Sequence, residues 1–207
     1  MNRRVAVLGA AMTIFGAALA PAADIPEDMK QAATKVAVEV CSACHGPGGH
    51  STSPTFPILS AQQPTYLAAQ LRAFQNRSRA DPDAHDYMWG MAATVDSSLV
   101  DALAGYFAKQ PAPPGTPGDA ALIAEGKKLF EHGNAKESVP ACAGCHGENA
   151  HGSTIFPRLA GQHAAYIVRQ LQVIQDNLRS SPVMHGIVKD LSPEEIKAVA
   201  EYVQSLS

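Results

Sequence analysis

The chain has 207 residues, of which 17% are charged and 46% are hydrophobic, and its formal net charge is −3. This composition excludes an intrinsically disordered chain and a strongly basic nucleic-acid-binding protein. Aromatic residues make up only 6% of the chain, which argues against a base-stacking surface. The length allows one large domain or two small ones.

The first 23 residues are predicted to be a secretory signal peptide. Arg3 and Arg4 form a positive start, the stretch 5–20 is apolar and uncharged, and residues 20–22 give an Ala-x-Ala cleavage pattern. A retained membrane anchor is the alternative, although these 16 apolar residues are fewer than the roughly 20 that a spanning helix needs. Cleavage removes two of the 16 basic residues and none of the 19 acidic ones. We therefore expect an acidic mature chain that is exported to the periplasm.

The rest of the chain contains the same pattern twice, about 100 residues apart. Three blocks recur in the same order: CSACHG and CAGCHG, FPIL and FPRL, and a Tyr-x-x-x-Gln-Leu pattern, which begin at residues 41 and 142, 56 and 156, and 66 and 166. A repeat of this length indicates a duplicated domain, because solenoid units are shorter.

A Pro-rich stretch, 110–118, separates the two copies and is predicted to be a linker. The predicted domains are therefore 24–109 and 119–207. Apolar residues recur at helical spacing after the predicted N-cap residues Asp96 and Ser192, and no convincing alternating strand pattern is present. Each domain is predicted to hold about three helices joined by long loops, which a large apolar prosthetic group would organise. The opening helices are expected at 27–40 and 119–131.

Each domain contains a Cys-x-x-Cys-His motif, which is typical of covalent attachment of a c-type haem. A thioredoxin-like pair would need a βαβ context, and a Cys₄ zinc site would need pairs within about 20 residues of each other. Disulfides would not explain a histidine after both pairs. The predicted residues that attach two haem c groups are Cys41, Cys44, Cys142 and Cys145, with His45 and His146 as iron ligands.

A methionine is the predicted sixth ligand of each iron, because a thioether raises the potential of a haem that already has a histidine. Met184 is the only candidate in the second domain. Aligning the two copies matches it with Met88 and places Met91 opposite Ile187, so Met88 is favoured. A histidine ligand in one half remains an alternative, and the candidates are His85, His163 and His185.

Two matched pairs near the motifs have less defined roles. His50 and His151 follow the motifs in Gly-rich loops, where a surface position or a contact at the haem propionate edge is favoured over ligation. Pro57 and Pro157 either place a carbonyl that accepts a hydrogen bond from the ligand histidine or form simple turns. The residues alone favour neither role.

Each copy resembles a class I cytochrome c domain, and the duplicated arrangement resembles the diheme cytochrome c4 family. The resemblance rests on CSACHGPGG and CAGCHGENA, on FPILSAQQPTYLAAQL and FPRLAGQHAAYIVRQL, and on MWGMAATV and MHGIVKDL, and it extends over 32–206. It implies an all-α fold made by tandem duplication of the class I cytochrome c fold, with one covalent haem per domain. The polar segment 78–87 departs from the family pattern and leaves the loop before Met88 undefined.

The resemblance also implies residue roles. The axial ligand pairs would be His45 with Met88 and His146 with Met184. The carbonyls of Pro57 and Pro157 would accept hydrogen bonds from the two histidines.

The function that the resemblance implies is that of a periplasmic electron carrier, not an enzyme, often held loosely at the membrane. Such proteins pass electrons from the cytochrome bc1 complex toward terminal oxidases, including cbb3-type oxidases. A haem enzyme or sensor with one open iron position, and a cytochrome subunit of a dehydrogenase, are the alternatives. A candidate methionine in both halves and the lack of an extra catalytic insertion favour the carrier. No nucleic-acid partner is expected.

Overall fold

A computed structural model describes residues 24–207, so the predicted signal peptide lies outside the described residues. The first half of this structure contains α1 (Glu27–Val36), α2 (Ser42–His45), α3 (Pro64–Gln75), α4 (Trp89–Ala93) and α5 (Val100–Ala108). The second half contains α6 (Ala120–His132), α7 (Ala143–His146), α8 (Ala164–Gln175), α9 (Pro182–Val188) and α10 (Pro193–Ser205). Over residues 24–207 the only β-type pairings are isolated bridges. The prediction of an all-α fold is confirmed.

Each half contains more helices than the sequence pattern predicts. The additional ones are α2, α4, α7 and α9, which are four to seven residues long and therefore too short to show helical periodicity. In the first half, two π-helical turns, Ala37–Cys41 and Ala84–Met88, precede α2 and α4. Single π turns in helical segments are frequent at functional sites, and these two end on a predicted thioether cysteine and a predicted iron ligand.

Local side-chain hydrogen bonds set the start of the last helix in each half. Ser192 and Glu195 form the predicted capping box of α10: the Ser192 Oγ accepts from the Glu195 N–H at 3.2 Å, and a Glu195 carboxylate oxygen accepts from the Ser192 N–H at 2.9 Å. Asp96 accepts from the Ser98 N–H at 2.8 Å and caps the 3₁₀ turn that leads into α5. Both predicted N-caps are confirmed.

The opening and final helices pack together in each half, α1 on α5 and α6 on α10, and the central helices α3 and α8 pack on the final ones. At the crossing of α6 and α10, a Cβ on Gly126 would overlap the carbonyl oxygen of Ala198. The glycine therefore permits the close approach of the two helices. The rings of Phe130 and Tyr202 lie 5.4 Å apart in the core beside this crossing. The first core is built on smaller groups and includes Ala33, Ala37, Leu103 and Phe107.

The segment between the halves contains no helix from 109 to 119. It runs beside α10, where the Thr116 N–H donates to the Gln204 carbonyl at 2.9 Å. In the part of the chain from 24 onward, no helix combines the length and the hydropathy that crossing a bilayer requires.

Candidate functional site

Each motif histidine is buried and makes one hydrogen bond to a proline carbonyl. His45 Nδ1 lies 2.8 Å from the Pro57 oxygen, and His146 Nδ1 lies 3.0 Å from the Pro157 oxygen. A carbonyl oxygen only accepts, so we assign the proton to Nδ1 in both rings, which leaves a lone pair on Nε2. Burial lowers the pKa of both histidines, and the carbonyl bonds oppose this only in part. Both rings are therefore neutral near pH 7 and can ligate a metal through Nε2.

The cysteines of each motif lie one helical turn apart and just before the histidine. Cys41 and Cys142 are partly buried, Cys44 and Cys145 are exposed, and none of the four is in a disulfide. Burial raises the pKa of Cys41, and it raises the pKa of Cys142 to about 11. Side chains at i and i+3 share one helix face, so each pair presents two thiols on the side that also carries the imidazole.

The methionines favoured by the repeat are the partly buried ones. Met88 packs against the cluster that contains Phe74 and Ala92, and Met184 packs against the core of the second half. Met91, which the repeat alignment disfavours, is 41% exposed.

An aromatic side chain lies against each motif histidine. The ring of Phe56 lies 6.2 Å from that of His45, and the ring of Phe156 lies 6.3 Å from that of His146. In the first half, Phe56 also contacts Tyr87, with ring centroids 5.4 Å apart. Phe56 thus packs between His45 and Tyr87, and Tyr87 lies in the π turn that ends at Met88.

The remaining candidate histidines are engaged in other hydrogen bonds. His85 pairs with Asp86 at 2.8 Å and is 65% exposed. His185 Nδ1 donates to the Ile174 carbonyl at 2.9 Å. The other ring contacts are His163 Nε2 with the Ser51 carbonyl at 3.0 Å, His151 Nε2 with the Ser207 carbonyl at 2.9 Å, and His50 Nδ1 with the Ser60 Oγ at 3.4 Å. These contacts support the methionine assignment over a second histidine.

The two halves are joined by a reciprocal pair of glutamines. Gln62 donates to the Arg158 carbonyl at 2.9 Å and accepts from the Arg158 N–H at 2.7 Å. Gln162 makes the equivalent pair with Ile58, at 2.9 and 3.0 Å. Residues 58 and 158 each directly follow the proline whose carbonyl accepts the hydrogen bond from a motif histidine. An isologous exchange of this kind ties the two histidine-holding loops directly to each other.

A second polar cluster lies between the central helices of the two halves. Arg79 is buried and bonds Asp81 at 2.8 Å, Gln70 at 2.9 Å and Gln170 at 2.8 Å. Arg179, its counterpart, bonds Gln170 at 2.6 Å, the Tyr66 hydroxyl at 2.7 Å and Gln70 at 3.0 Å. Burial raises the pKa of Tyr66, but the nearby arginine charges and the Arg179 hydrogen bond lower it by more.

Sequence reasoning missed these interface residues. Glutamine and arginine are typical surface residues, and only their recurrence at offset 100, as in Gln62 and Gln162 or Arg79 and Arg179, marks them. The duplicated pattern was therefore the available signal, but it does not show that the two copies face each other.

A family model described as cytochrome c matches residues 123–207. A cytochrome c4 from Thiocapsa roseopersicina is 40% identical over 183 residues, covering 86% of this chain and 92% of that protein. The chain belongs to the cytochrome c4 family. A solved cytochrome c4 structure, from Acidithiobacillus ferrooxidans, matches with a TM-score of 0.77 at 39% identity, covering 80% of this chain and 98% of that one. A protein named thiosulfate dehydrogenase electron acceptor, from Thiomonas intermedia (strain K12), is 35% identical over 211 residues and covers 97% of this chain and 90% of its own.

Membership of the cytochrome c4 family makes the chain an electron-transfer protein with two covalently bound haem c groups, and not an enzyme. The residues of this structure fit those groups. Each half offers two cysteine side chains on one helical turn, a neutral imidazole with Nδ1 already bonded, and a partly buried thioether. Thiols for covalent attachment and a His–Met ligand set are the groups that a cytochrome c iron site requires.

Proposed function

We propose that the chain is a periplasmic electron carrier with two haem domains, 24–109 and 119–207, joined by the linker 110–118. The observation that carries the proposal is the matched pair of histidine–carbonyl hydrogen bonds, His45 to Pro57 and His146 to Pro157. Outer hydrogen bonds of this kind fix the tautomer and orientation of a metal-bound histidine. Their presence in both halves supports two equivalent iron sites.

In this proposal each haem has one set of protein ligands. Cys41 and Cys44 in the first domain and Cys142 and Cys145 in the second would form the thioether bonds; His45 with Met88 and His146 with Met184 would ligate the iron. When bound, the haem supplies a one-electron couple between ferric and ferrous iron. The proline carbonyls keep the imidazoles in one tautomer, and the methionines would supply the second protein ligand to each iron. Iron held by two protein ligands would leave no position for a substrate, which suits a carrier.

The proposed redox partners are a cytochrome bc1-type donor and a terminal oxidase, with the chain peripheral at the periplasmic face of the membrane. The acidic balance of the exported chain, 19 acidic residues against 14 basic ones after loss of Arg3 and Arg4, favours basic docking surfaces on these partners.

A second candidate role is electron acceptor for a dehydrogenase. The observation that favours it is the similarity, over 97% of this chain, to the thiosulfate dehydrogenase electron acceptor of Thiomonas intermedia. The carrier chemistry is the same and only the donor differs. Stopped-flow reduction of the protein by a bc1 complex, compared with reduction by a thiosulfate dehydrogenase plus thiosulfate, separates the two roles.

Carbon monoxide tests the proposed iron sites, because it binds ferrous haem where an axial position is open. The dithionite-reduced protein is expected to contain two haems per chain and to show no spectral change on adding carbon monoxide. M88A is expected to bind one equivalent of carbon monoxide per chain. M91A is the matched control and is expected to bind none. Binding by the wild-type protein, or by M91A in place of M88A, contradicts the assignment.

A further inference from the structure

Arg158 is a buried cation to which the proposed electron-carrier role assigns no part. It is 8% exposed and occupies the position that Ile58 holds in the first half. Its backbone is fixed by Gln62 across the interface, at 2.9 and 2.7 Å. Its Nε donates to the Ala160 carbonyl at 3.2 Å. Its Nη2 is buried and has no hydrogen-bonding partner among residues 24–207.

This guanidinium differs from the other two arginines at the interface, buried Arg79 and partly buried Arg179. Arg79 bonds the Asp81 carboxylate and two glutamines, and Arg179 bonds two glutamines and a tyrosine. For Arg158, burial lowers the pKa, and no neighbouring carboxylate counteracts this effect. A buried charge that lacks a partner is strongly unfavourable. An anionic oxygen within hydrogen-bonding distance of Nη2 would therefore stabilise this guanidinium.

We propose that the Arg158 guanidinium binds a propionate carboxylate of the haem in the second half. The inference rests on the proposed diheme function. The haem carries carboxylates, and Arg158 directly follows Pro157, the residue that accepts from His146. Guanidinium and carboxylate form strong charge-assisted hydrogen bonds. Ile58 offers no such bond, so this contact exists in one half only.

The contact has a consequence for the redox equilibrium of the second haem. Ferrous haem carries one positive charge fewer than ferric haem, so a fixed cation nearby favours the reduced form. A single unit charge at the effective dielectric of a protein interior is enough to change that equilibrium by about tenfold. Through its charge, Arg158 thus makes the two haems inequivalent.

Spectroelectrochemical titration of R158Q tests this proposal, because glutamine keeps an N–H donor and removes the charge. Each midpoint is assigned to its haem in M88H and M184H backgrounds, where loss of the thioether lowers one potential. We expect the reduction constant of the second-half haem to fall about tenfold, which is about 59 mV for one electron. The first-half haem should change less. R158K, which keeps the charge, should retain most of the wild-type value.

R72M is the matched control, because it removes one positive charge from an exposed arginine that pairs with Asp101 at 2.7 Å. Solvent screening should leave both midpoints close to wild type. Free phosphate added to the wild-type protein separates a propionate from a free anion as the partner of Arg158. A midpoint that depends on phosphate through Arg158 overturns the proposal. Unchanged midpoints in R158Q, or a fall confined to the first haem, also overturn it.

Haem content distinguishes failure of this inference from failure of the proposed function. Fewer than two haems per wild-type chain contradicts the diheme function itself. Two haems with midpoints that do not respond to R158Q leave that function intact and refute only the role of Arg158. If R158Q does not assemble, R158K decides the question, since a packing role would be lost with lysine while a charge role would persist.

Discussion

Replacing Gln62 with alanine should weaken the connection between the two halves without disturbing the core of either. The side chain makes two hydrogen bonds to Arg158, both of them buried. Each such bond contributes about 1 kcal/mol net, and a buried group left without a partner costs about 1–3 kcal/mol. We therefore expect Q62A to lose about 2–4 kcal/mol of coupling free energy between the halves. Q162A should lose less, because its bonds to Ile58 are only partly buried.

Urea unfolding followed by two probes measures this coupling. Trp89 is the only tryptophan and lies in the first half, so its fluorescence reports that half, whereas far-UV circular dichroism reports both. In the wild-type protein the two transitions should coincide, and in Q62A they should separate. Q75A is the matched control, because Gln75 donates to the Ala92 and Val95 carbonyls within its own half, at 3.3 and 2.8 Å.

The control and the test variant should therefore differ in what they destabilise, the first half alone or the contact between the halves. Q75A should lower the stability of the first half and leave the second unchanged. A loss below about 0.5 kcal/mol in Q62A, the size typical of an uninvolved surface change, would refute the reasoning. Probe separation in Q75A as large as that in Q62A would refute it as well.

Two further predictions concern the second half. G126A should lower the free energy of unfolding by about 1–3 kcal/mol, because the new Cβ meets the Ala198 carbonyl. G105A, whose Cβ would meet open space, should instead add up to about 1 kcal/mol of helix propensity; equal effects in urea titrations would argue against the close crossing. The Glu195 pKa is lowered, chiefly by the hydrogen bond from the Ser192 backbone, so its stabilisation is present above its usual value of 4.5 and is lost as the pH falls through the lower folded value. E195Q should therefore be less stable than wild type at pH 7, by about 0.3–1 kcal/mol, and this difference should shrink as the pH falls below 4.5, with the exposed E194Q as control; a difference that does not shrink as the pH falls would contradict the assignment.

The final helices could be predicted well from the sequence, because their signals are local. Ser192 and Glu195 form the capping box that their spacing predicts, and α10 begins at the next residue, Pro193. The sequence pattern predicts that the opening helix of the first half continues to 40. It instead becomes a π turn at Ala37, and one extra residue per turn leaves no signature in a 3.6-residue pattern.

The iron-site chemistry was only partly visible in the sequence. The motifs identify the cysteines and histidines directly, since those side chains perform the chemistry. Whether Pro57 and Pro157 serve the histidines could not be decided from residue types, because the acceptor is a backbone carbonyl that every residue carries. The burial of Arg79 and Arg158 was invisible for a different reason: part of their surroundings, Gln170 for Arg79 and Gln62 for Arg158, comes from the other copy of the repeat, about 100 residues away in the sequence.

The polar interface between the halves also depends on the short connection that links them. Two free proteins that met only through glutamine and arginine hydrogen bonds, with a dissociation constant of about 10 μM, would separate at nanomolar concentrations. A short tether raises the effective concentration of one half near the other to about 1 mM, which keeps about 99% of molecules closed at that same affinity. The fraction of molecules in which the two halves are in contact is then independent of the protein concentration. A carrier built in this way can hold its two halves together through polar contacts, without the large apolar surface that a permanent dimer requires.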